Sequence, residues 1–124
     1  MKKILLPFVF IFFYISLVAQ VKRYTETIFA SSTVTSNVVY DTAPFLNSPY
    51  YNENSTTTED LIMDVYQPIG DTHNNRAAII FAHAGGFITG NRNHDDMVAF
   101  CDSFARKGYV TITIDYRQGM YFLS

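Results

Sequence analysis

The residues best suited to chemistry lie in the stretch from His83 to Gly90, His-Ala-Gly-Gly-Phe-Ile-Thr-Gly. It directly follows an apolar run, Ala77 to Ala82, of the kind that forms a strand buried on both faces of a parallel sheet. A glycine loop at the carboxyl end of such a strand exposes backbone N–H groups, because no Cβ crowds their approach. Such groups stabilise the charged oxygen of an acyl-transfer intermediate, at ~3 kcal/mol for each donor. The stretch predicts an oxyanion loop, although a tight turn after a strand would also require glycines.

Other reactive residue types give weaker predictions. His73, His83 and His94 fall in a predicted turn, at a strand end and at a helix start, and no carboxylates accompany them at the spacing of a metal site. We therefore expect no metal and no other cofactor. Cys101 is the single cysteine and lies among apolar residues on a predicted helix, which favours a buried, unreactive thiol and excludes an internal disulfide.

The sequence shows no nucleophile to accompany the loop. No serine stands in a Gly-x-Ser-x-Gly context, the setting of a serine nucleophile on a strand-to-helix turn. Ser103 falls within a predicted helix, and Ser124 has no glycine after it. The sequence thus predicts half of an active site.

The elements around the loop follow from hydrophobic periodicity. In the stretch Asp60–Tyr66, the alternation of Leu61, Met63 and Val65 predicts a half-buried strand. Tyr109–Asp115 is rich in β-branched residues and predicts another strand.

Between the loop and this last strand, the spacing of apolar residues predicts a helix with Asn93 as its N-cap and Gly108 as its left-handed stop. A strand, a helix and a strand in this order give a right-handed crossover and parallel pairing. Before Asp60, Thr25–Phe29 and Thr35–Tyr40 predict two edge strands that pair antiparallel. Asp41–Glu59 has loop composition.

Residues 1–19 have the composition of a secretory signal peptide, with a Met-Lys-Lys start, an apolar stretch and a final Ala19. A retained membrane anchor is the alternative, but the stretch is shorter than the ~20 apolar residues of a span, and Pro7 interrupts it. We expect cleavage after Ala19, export, and no further membrane attachment. Residues 20–124 then form one small domain with a net charge near −4, so no nucleic-acid partner is expected.

Three motifs resemble, in order, the amino-terminal part of α/β-hydrolases of the carboxylesterase and lipase type. Leu61-Ile62-Met63-Asp64-Val65-Tyr66 with Pro68 is similar to that family's early strand. His83-Ala84-Gly85-Gly86-Phe87 is similar to its His-Gly-Gly-Gly oxyanion motif, and Asp115-Tyr116-Arg117 to the Asp-Tyr-Arg that ends its next strand. Ala84 stands where the family usually has its first glycine, which is tolerable if its φ is negative.

The resemblance implies an α/β fold: the start of a three-layer sandwich with helices on both faces of a mostly parallel sheet. It is incomplete, with only the amino-terminal strands, the oxyanion loop and the first helix in residues 20–124. The resemblance assigns the oxyanion N–H groups to Gly85 and Gly86. Phe87 would line the substrate pocket, and the loop would be supported by His83, Asp115 and Arg117, the last two as a salt-linked network. The nucleophile, acid and base would lie beyond this chain.

The predicted function is that of a fragment of an exported serine hydrolase acting on a small carboxylic ester. A non-catalytic binding protein on the same scaffold is the alternative that the missing nucleophile favours, and a peptidase or thioesterase would use the same loop. An unpaired parallel edge at Tyr109–Asp115 and an incomplete core further predict that the chain self-associates or stays loosely folded.

Overall fold

The computed structural model describes residues 22–46 and 56–118. These residues form one four-stranded sheet and one longer helix, namely β1 Ser32–Leu46, β2 Thr56–Pro68, β3 Ala78–Ala82, α1 Asp95–Ala105 and β4 Val110–Ile114. The strand order is β1-β2-β4-β3. β3 and β4 are parallel, whereas β2 pairs antiparallel with both β1 and β4. The mixed sheet is compatible with a partial α/β fold, and the predicted strand–helix–strand unit with parallel pairing is confirmed.

The predicted signal peptide, residues 1–19, lies outside the described residues. Within the described ranges, no helix has the length and apolar character needed to cross a membrane.

β4 lies inside the sheet, between β2 and β3, so the prediction of an open edge at Tyr109–Asp115 is wrong. The edge on this side is β3, whose alternate residues Ala78, Ile80 and Ala82 are exposed. Burial of this strand on both faces, expected from its unbroken apolar run, is therefore not found in the described part of the chain. The reason is that α1 covers one face of the sheet only.

α1 packs on that face through a small core. The core contains Tyr66, Cys101 and Ala105, with Phe81 packed against it. Phe81 of β3 lies 5.8 Å from Phe104 of α1, measured between ring centroids. Thr111 of β4 is fully buried, and its Oγ1 donates to the Cys101 carbonyl over 2.7 Å. These contacts fix α1 across β3 and β4.

The opposite face of the sheet carries an apolar stripe. Met63 pairs with Ile114, Val65 pairs with Ile112, and Ile80 pairs with Ile112 from the other side. Paired residues project from the same face of a sheet, so these five side chains lie together. They are half-buried or exposed, and Ile80 is 64% exposed. No element of the described chain covers the stripe.

The more buried face of β2 is the one beneath α1. Asp64 pairs with Thr113, and Tyr66 pairs with Thr111; all four are buried. The periodicity of Met63, Val65 and their neighbours therefore predicted the strand correctly but pointed to the less buried of its two faces.

The amino-terminal region differs most from its prediction. Residues 25–29 form turns and bends rather than a strand. β1 instead extends through the predicted strand at 35–40 and into the predicted loop, pairing with β2 from Ser32–Pro68 to Leu46–Thr56. Backbone pairing satisfies the N–H and C=O groups of this ribbon whatever its side chains. Its proline, Pro44, lies on the edge strand, where a missing donor is tolerated.

α1 begins later than predicted. Its N-cap is His94, without a side-chain capping hydrogen bond, so the predicted Asn93 cap is wrong. The Asn93 N–H donates instead to Asn91 Oδ1 over 2.9 Å, in the segment that leads into the helix. The predicted end is confirmed, because Gly108 has a φ of +100°, a conformation that glycine adopts at low cost.

Candidate active site

The glycine loop, residues 84–91, connects the carboxyl end of β3 to α1. Within it, the Gly85 carbonyl accepts hydrogen bonds from Ile88 N at 3.1 Å and from Thr89 N at 3.2 Å. A Cβ at position 85 would lie 1.7 Å from the Thr89 carbonyl oxygen, so only glycine fits there. Ala84, which replaces the first glycine of the family motif, is tolerable there only with a negative φ. It is not among the residues with positive φ, so this condition is met.

The N–H groups of Gly85 and Gly86 donate to no residue in the described ranges. Gly86 has a φ of +61°, and a Cβ built on it would meet no atom within 4 Å. Backbone donors that have no partner among the described residues are available to a ligand oxygen. The loop can therefore hold an oxygen that carries negative charge.

Phe87 adopts a left-handed backbone conformation, with a φ of +62°. For a residue with a Cβ this conformation costs ~1 kcal/mol, and such strain is concentrated at functional loops. Its side chain is 53% exposed and meets the Tyr116 ring edge-on at 5.4 Å between centroids. Phe87 thus presents an aromatic surface next to the two glycines.

His83 lies buried at the junction of β3 and the glycine loop. Its ring stacks on Tyr116 at 4.4 Å between centroids, and the Tyr116 hydroxyl donates to the His83 carbonyl over 2.8 Å. His83 Nδ1 lies 2.9 Å from the Ala84 carbonyl oxygen, which can only accept, so Nδ1 carries the proton. Nε2 is buried without a hydrogen-bond partner among the described residues, 3.9 Å from Asp115 Oδ1.

Asp115 is held by Arg92, which the sequence analysis did not single out. Arg92 N donates to Asp115 Oδ1 over 2.6 Å, and its Nη1 donates to Asp115 Oδ2. Nη2 donates to Asn37 Oδ1 over 2.5 Å, and Nε lies 3.2 Å from Asp64 Oδ1. The salt link that was predicted through Arg117 therefore runs through Arg92. The Arg117 side chain is exposed and takes no part in this network.

The signal that could have identified Arg92 is Asp64. A carboxylate within an apolar strand requires a cation if the strand is buried, and Asp64 is 3% exposed. Burial lowers the pKa of the Arg92 guanidinium, but its contacts with Asp115 and Asp64 outweigh this and raise the pKa above its ordinary value. Arg92 therefore stays charged, as the two carboxylates require.

A pocket of about 90 Å³ lies between the glycine loop and the first turn of α1. Its lining includes His83, Ala84, Gly90, His94, Asp96 and Met97. It is much smaller than the ~300 Å³ or more of ordinary ligand pockets, so it suits only a small chemical group. Gly85, Gly86 and Phe87 are not among its lining residues.

Other reactive groups lie apart from this site. Cys101 is fully buried in the core, and burial raises its pKa to about 11, so the thiol is protonated at neutral pH. In the parts of the chain that the structure describes, no three His, Cys, Asp or Glu side chains are grouped so as to hold a metal ion.

Comparison with known families gives a match to part of the chain. The family model BD-FAE, for α/β-hydrolase-like esterase domains, matches residues 63–121. This segment is hydrolase-like. It contains the glycine loop, α1, β4 and most of the Arg92 network, so the resemblance to hydrolases is confirmed at this level, while the His-Gly-Gly-Gly class stays a prediction. Comparisons with curated proteins and with solved structures give no match.

Proposed function

We propose that the glycine loop is the oxyanion site of an exported serine hydrolase that acts on carboxylic esters. The observation that carries the proposal is that the Gly85 and Gly86 N–H groups donate to no described residue, within a segment similar to esterase domains. The carbonyl oxygen of the ester would lie against both N–H groups, which stabilise its charge as the tetrahedral intermediate forms. Phe87 would contact the acyl or alcohol part.

The remaining catalytic groups are not assigned to residues of this chain. The geometry of His83 argues against a role as general base, because its ring is buried and stacked, with Nδ1 facing a carbonyl. Asp115 is already engaged by Arg92. Both residues are proposed to support the loop.

The proposal extends to the fold. A three-layer sandwich has helices on both faces of its sheet, and α1 covers one face here. The apolar stripe formed by Met63, Val65, Ile80, Ile112 and Ile114 is the surface that a second helical layer would cover. Export is proposed from residues 1–19, and a mature amino terminus at Gln20, measured by mass spectrometry of the exported protein, checks it.

The test is the hydrolysis of p-nitrophenyl acetate by the product of the open reading frame, including any residues encoded after Ser124. Gly86→Ala is expected to lower kcat by about 100-fold with little change in KM, because a misplaced donor is lost mainly from the transition state. Gly70→Ala is the matched control. Gly70 also has a positive φ, +82°, and open space around its Cβ, but it lies in the turn after β2.

Equal losses of kcat in the two variants, or an unchanged kcat in Gly86→Ala, would remove the oxyanion assignment. A parent protein that hydrolyses no ester and takes up no fluorophosphonate probe would favour a non-catalytic binding protein instead. Faster turnover of matched amide or thioester substrates would redirect the proposal to a peptidase or a thioesterase.

A further inference from the structure

The backbone of Arg92 is fixed on both sides by β4 and the residue that follows it. Its N–H donates to Asp115 Oδ1 over 2.6 Å, and its carbonyl accepts from Thr113 Oγ1 at 3.0 Å. Arg92 directly follows the glycine loop, and Thr113 is fully buried. The carboxyl-terminal end of the loop is therefore attached to the interior of the sheet.

The Arg92 side chain reaches three elements of the fold. Its guanidinium contacts Asp115 after β4, Asp64 on β2 and Asn37 on β1. The Asn37 N–H also donates to Asp64 Oδ1 over 2.8 Å, which ties β1 into the same cluster. The Arg92 side chain is 11% exposed and that of Asp64 is 4% exposed. The planar, forked guanidinium makes these contacts at the same time, which a lysine ammonium cannot do.

The amino-terminal end of the loop has a different anchor. The Tyr116 hydroxyl donates to the His83 carbonyl, and the two rings stack. Tyr116 is the neighbour of Asp115 in the chain, so two consecutive residues after β4 receive both ends of the glycine loop. Gly85 and Gly86 lie between these anchors, and their N–H groups donate to no described residue. Without the Arg92 side chain, the carboxyl-terminal end of the loop would keep the backbone contacts of residue 92 and the hydrogen bond from Gln118 Nε2 to the Gly90 carbonyl, 2.9 Å long.

We propose that Arg92 is a positioning residue that locks the glycine loop onto the sheet and so fixes the direction of the Gly85 and Gly86 N–H groups. The anchoring stands on the contacts of Arg92 alone; its purpose, to orient donors toward an ester oxygen, rests on the proposed function. Arg92 acts through the loop and touches no reacting atom.

Hydrogen exchange followed by mass spectrometry of the full chain tests this anchoring without any need for activity. Arg92→Gln is expected to speed amide exchange in peptides covering residues 84–92 roughly tenfold more than in peptides covering residues 69–77. Arg92→Lys, which keeps the charge but not the fork, is expected to give an intermediate ratio.

Arg23→Gln is the matched control, because Arg23 is also a largely buried arginine paired with a buried carboxylate, that of Asp71. It is expected to give the opposite pattern, with faster exchange at residues 69–77 and little change in the glycine loop. Equal acceleration of both peptides by both variants would overturn the proposal, since Arg92 would then contribute only general stability.

Should the Arg92→Gln variant fail to fold, the Asn37→Gly variant tests the same anchoring. It removes one acceptor of the guanidinium, and the Asn37 φ of +60° suits glycine. A smaller acceleration confined to residues 84–92 is expected, and no change there would contradict the anchoring. If the exchange data show the anchoring but the parent protein hydrolyses no ester, the proposed function is overturned. The role of Arg92 as an anchor of the loop then still holds.

Discussion

The two ends of the parallel β3–β4 pair use the same device, an arginine held by buried carboxylate. At the amino end, Arg23 donates to Asp71 Oδ1 over 3.2 Å and to Oδ2 over 2.5 Å, and also to the Gly108 carbonyl over 3.0 Å. At the carboxyl end, Arg92 is held by Asp115 and Asp64. Both arginines attach a connecting segment to the sheet.

The two ends differ in whether the backbone N–H groups near the arginine have hydrogen-bond partners. At the amino end, backbone donors are used by the protein itself: Ala77 N donates to the Tyr24 hydroxyl, and Tyr24 N donates to the Lys107 carbonyl. At the carboxyl end, Gly85 and Gly86 keep donors without a partner in the described residues. An arginine–carboxylate pair therefore lies beside partnered backbone donors at the amino end, which we call the closed end. At the carboxyl end, the open end, such a pair lies beside donors that have no described partner. The carboxyl end is therefore the one for which we propose a function.

The largest effect is expected from Asp71→Asn, which breaks the pair at the closed end. Asp71 has a side chain only 1% exposed, so its removal leaves Arg23 without a counter-charge and costs about 3 kcal/mol in the free energy of unfolding at neutral pH. The hydrogen bond from Arg23 lowers the pKa of Asp71 below its ordinary value of 3.8. Urea unfolding followed by tyrosine fluorescence measures the difference.

The pH dependence of that difference follows from the lowered pKa. A carboxylate with a depressed pKa in the folded state stabilises the fold above its unfolded pKa, and this contribution disappears as the pH falls through the folded pKa. The gap between the wild-type chain and Asp71→Asn should thus be full at pH 7 and shrink below about pH 4. A gap that stays constant down to pH 3 would show that the Arg23–Asp71 pair does not stabilise the closed end.

A smaller effect, on self-association, is expected from Ile80→Lys. Ile80 lies on β3, between the two ends of the β3–β4 pair. Ile80 is exposed on the edge strand β3 and belongs to the apolar stripe. A lysine at this position opposes edge-to-edge pairing between two copies of the chain, and it removes a large apolar side chain that their contact would bury. The concentration at which the chain self-associates should rise about tenfold. Sedimentation velocity measures it, and Lys107→Ala, away from the stripe, is the control. Unchanged association would place the contact elsewhere.

Much of the hydrolase-like segment could be predicted from its sequence. The apolar run before His83, the helical spacing up to Ala105 and the β-branched run after Tyr109 each predict the element that the structure contains. The type of these elements follows from local pattern, although the burial of β3 on both faces that its apolar run predicted is not found in the described residues. Gly108, which ends the helical segment, was predicted from its position after the last apolar residues of the helix.

The rest depends on pairing between distant segments. β1 was missed over much of its length because pairing with β2, rather than its own composition, makes it a strand. The role of Arg92 was missed for a similar reason: its partners Asp64, Asp115 and Asn37 are distant in sequence, and the prediction assigned Asp115 to its near neighbour Arg117. Long-range ion pairs leave no periodic pattern along the chain.

The most direct test of the open end is the amide spectrum of the chain labelled with 15N-glycine. Six glycines give a simple spectrum, in which Gly70 and Gly108 report on the closed end. The Ile80→Lys variant serves where association broadens the signals. On titration with methylphosphonate, an anion that mimics the tetrahedral intermediate, we expect the Gly85 and Gly86 resonances to shift and saturate while those of Gly70 and Gly108 stay in place. Equal shifts at both ends, or none at Gly85 and Gly86, would contradict an oxyanion site in the glycine loop.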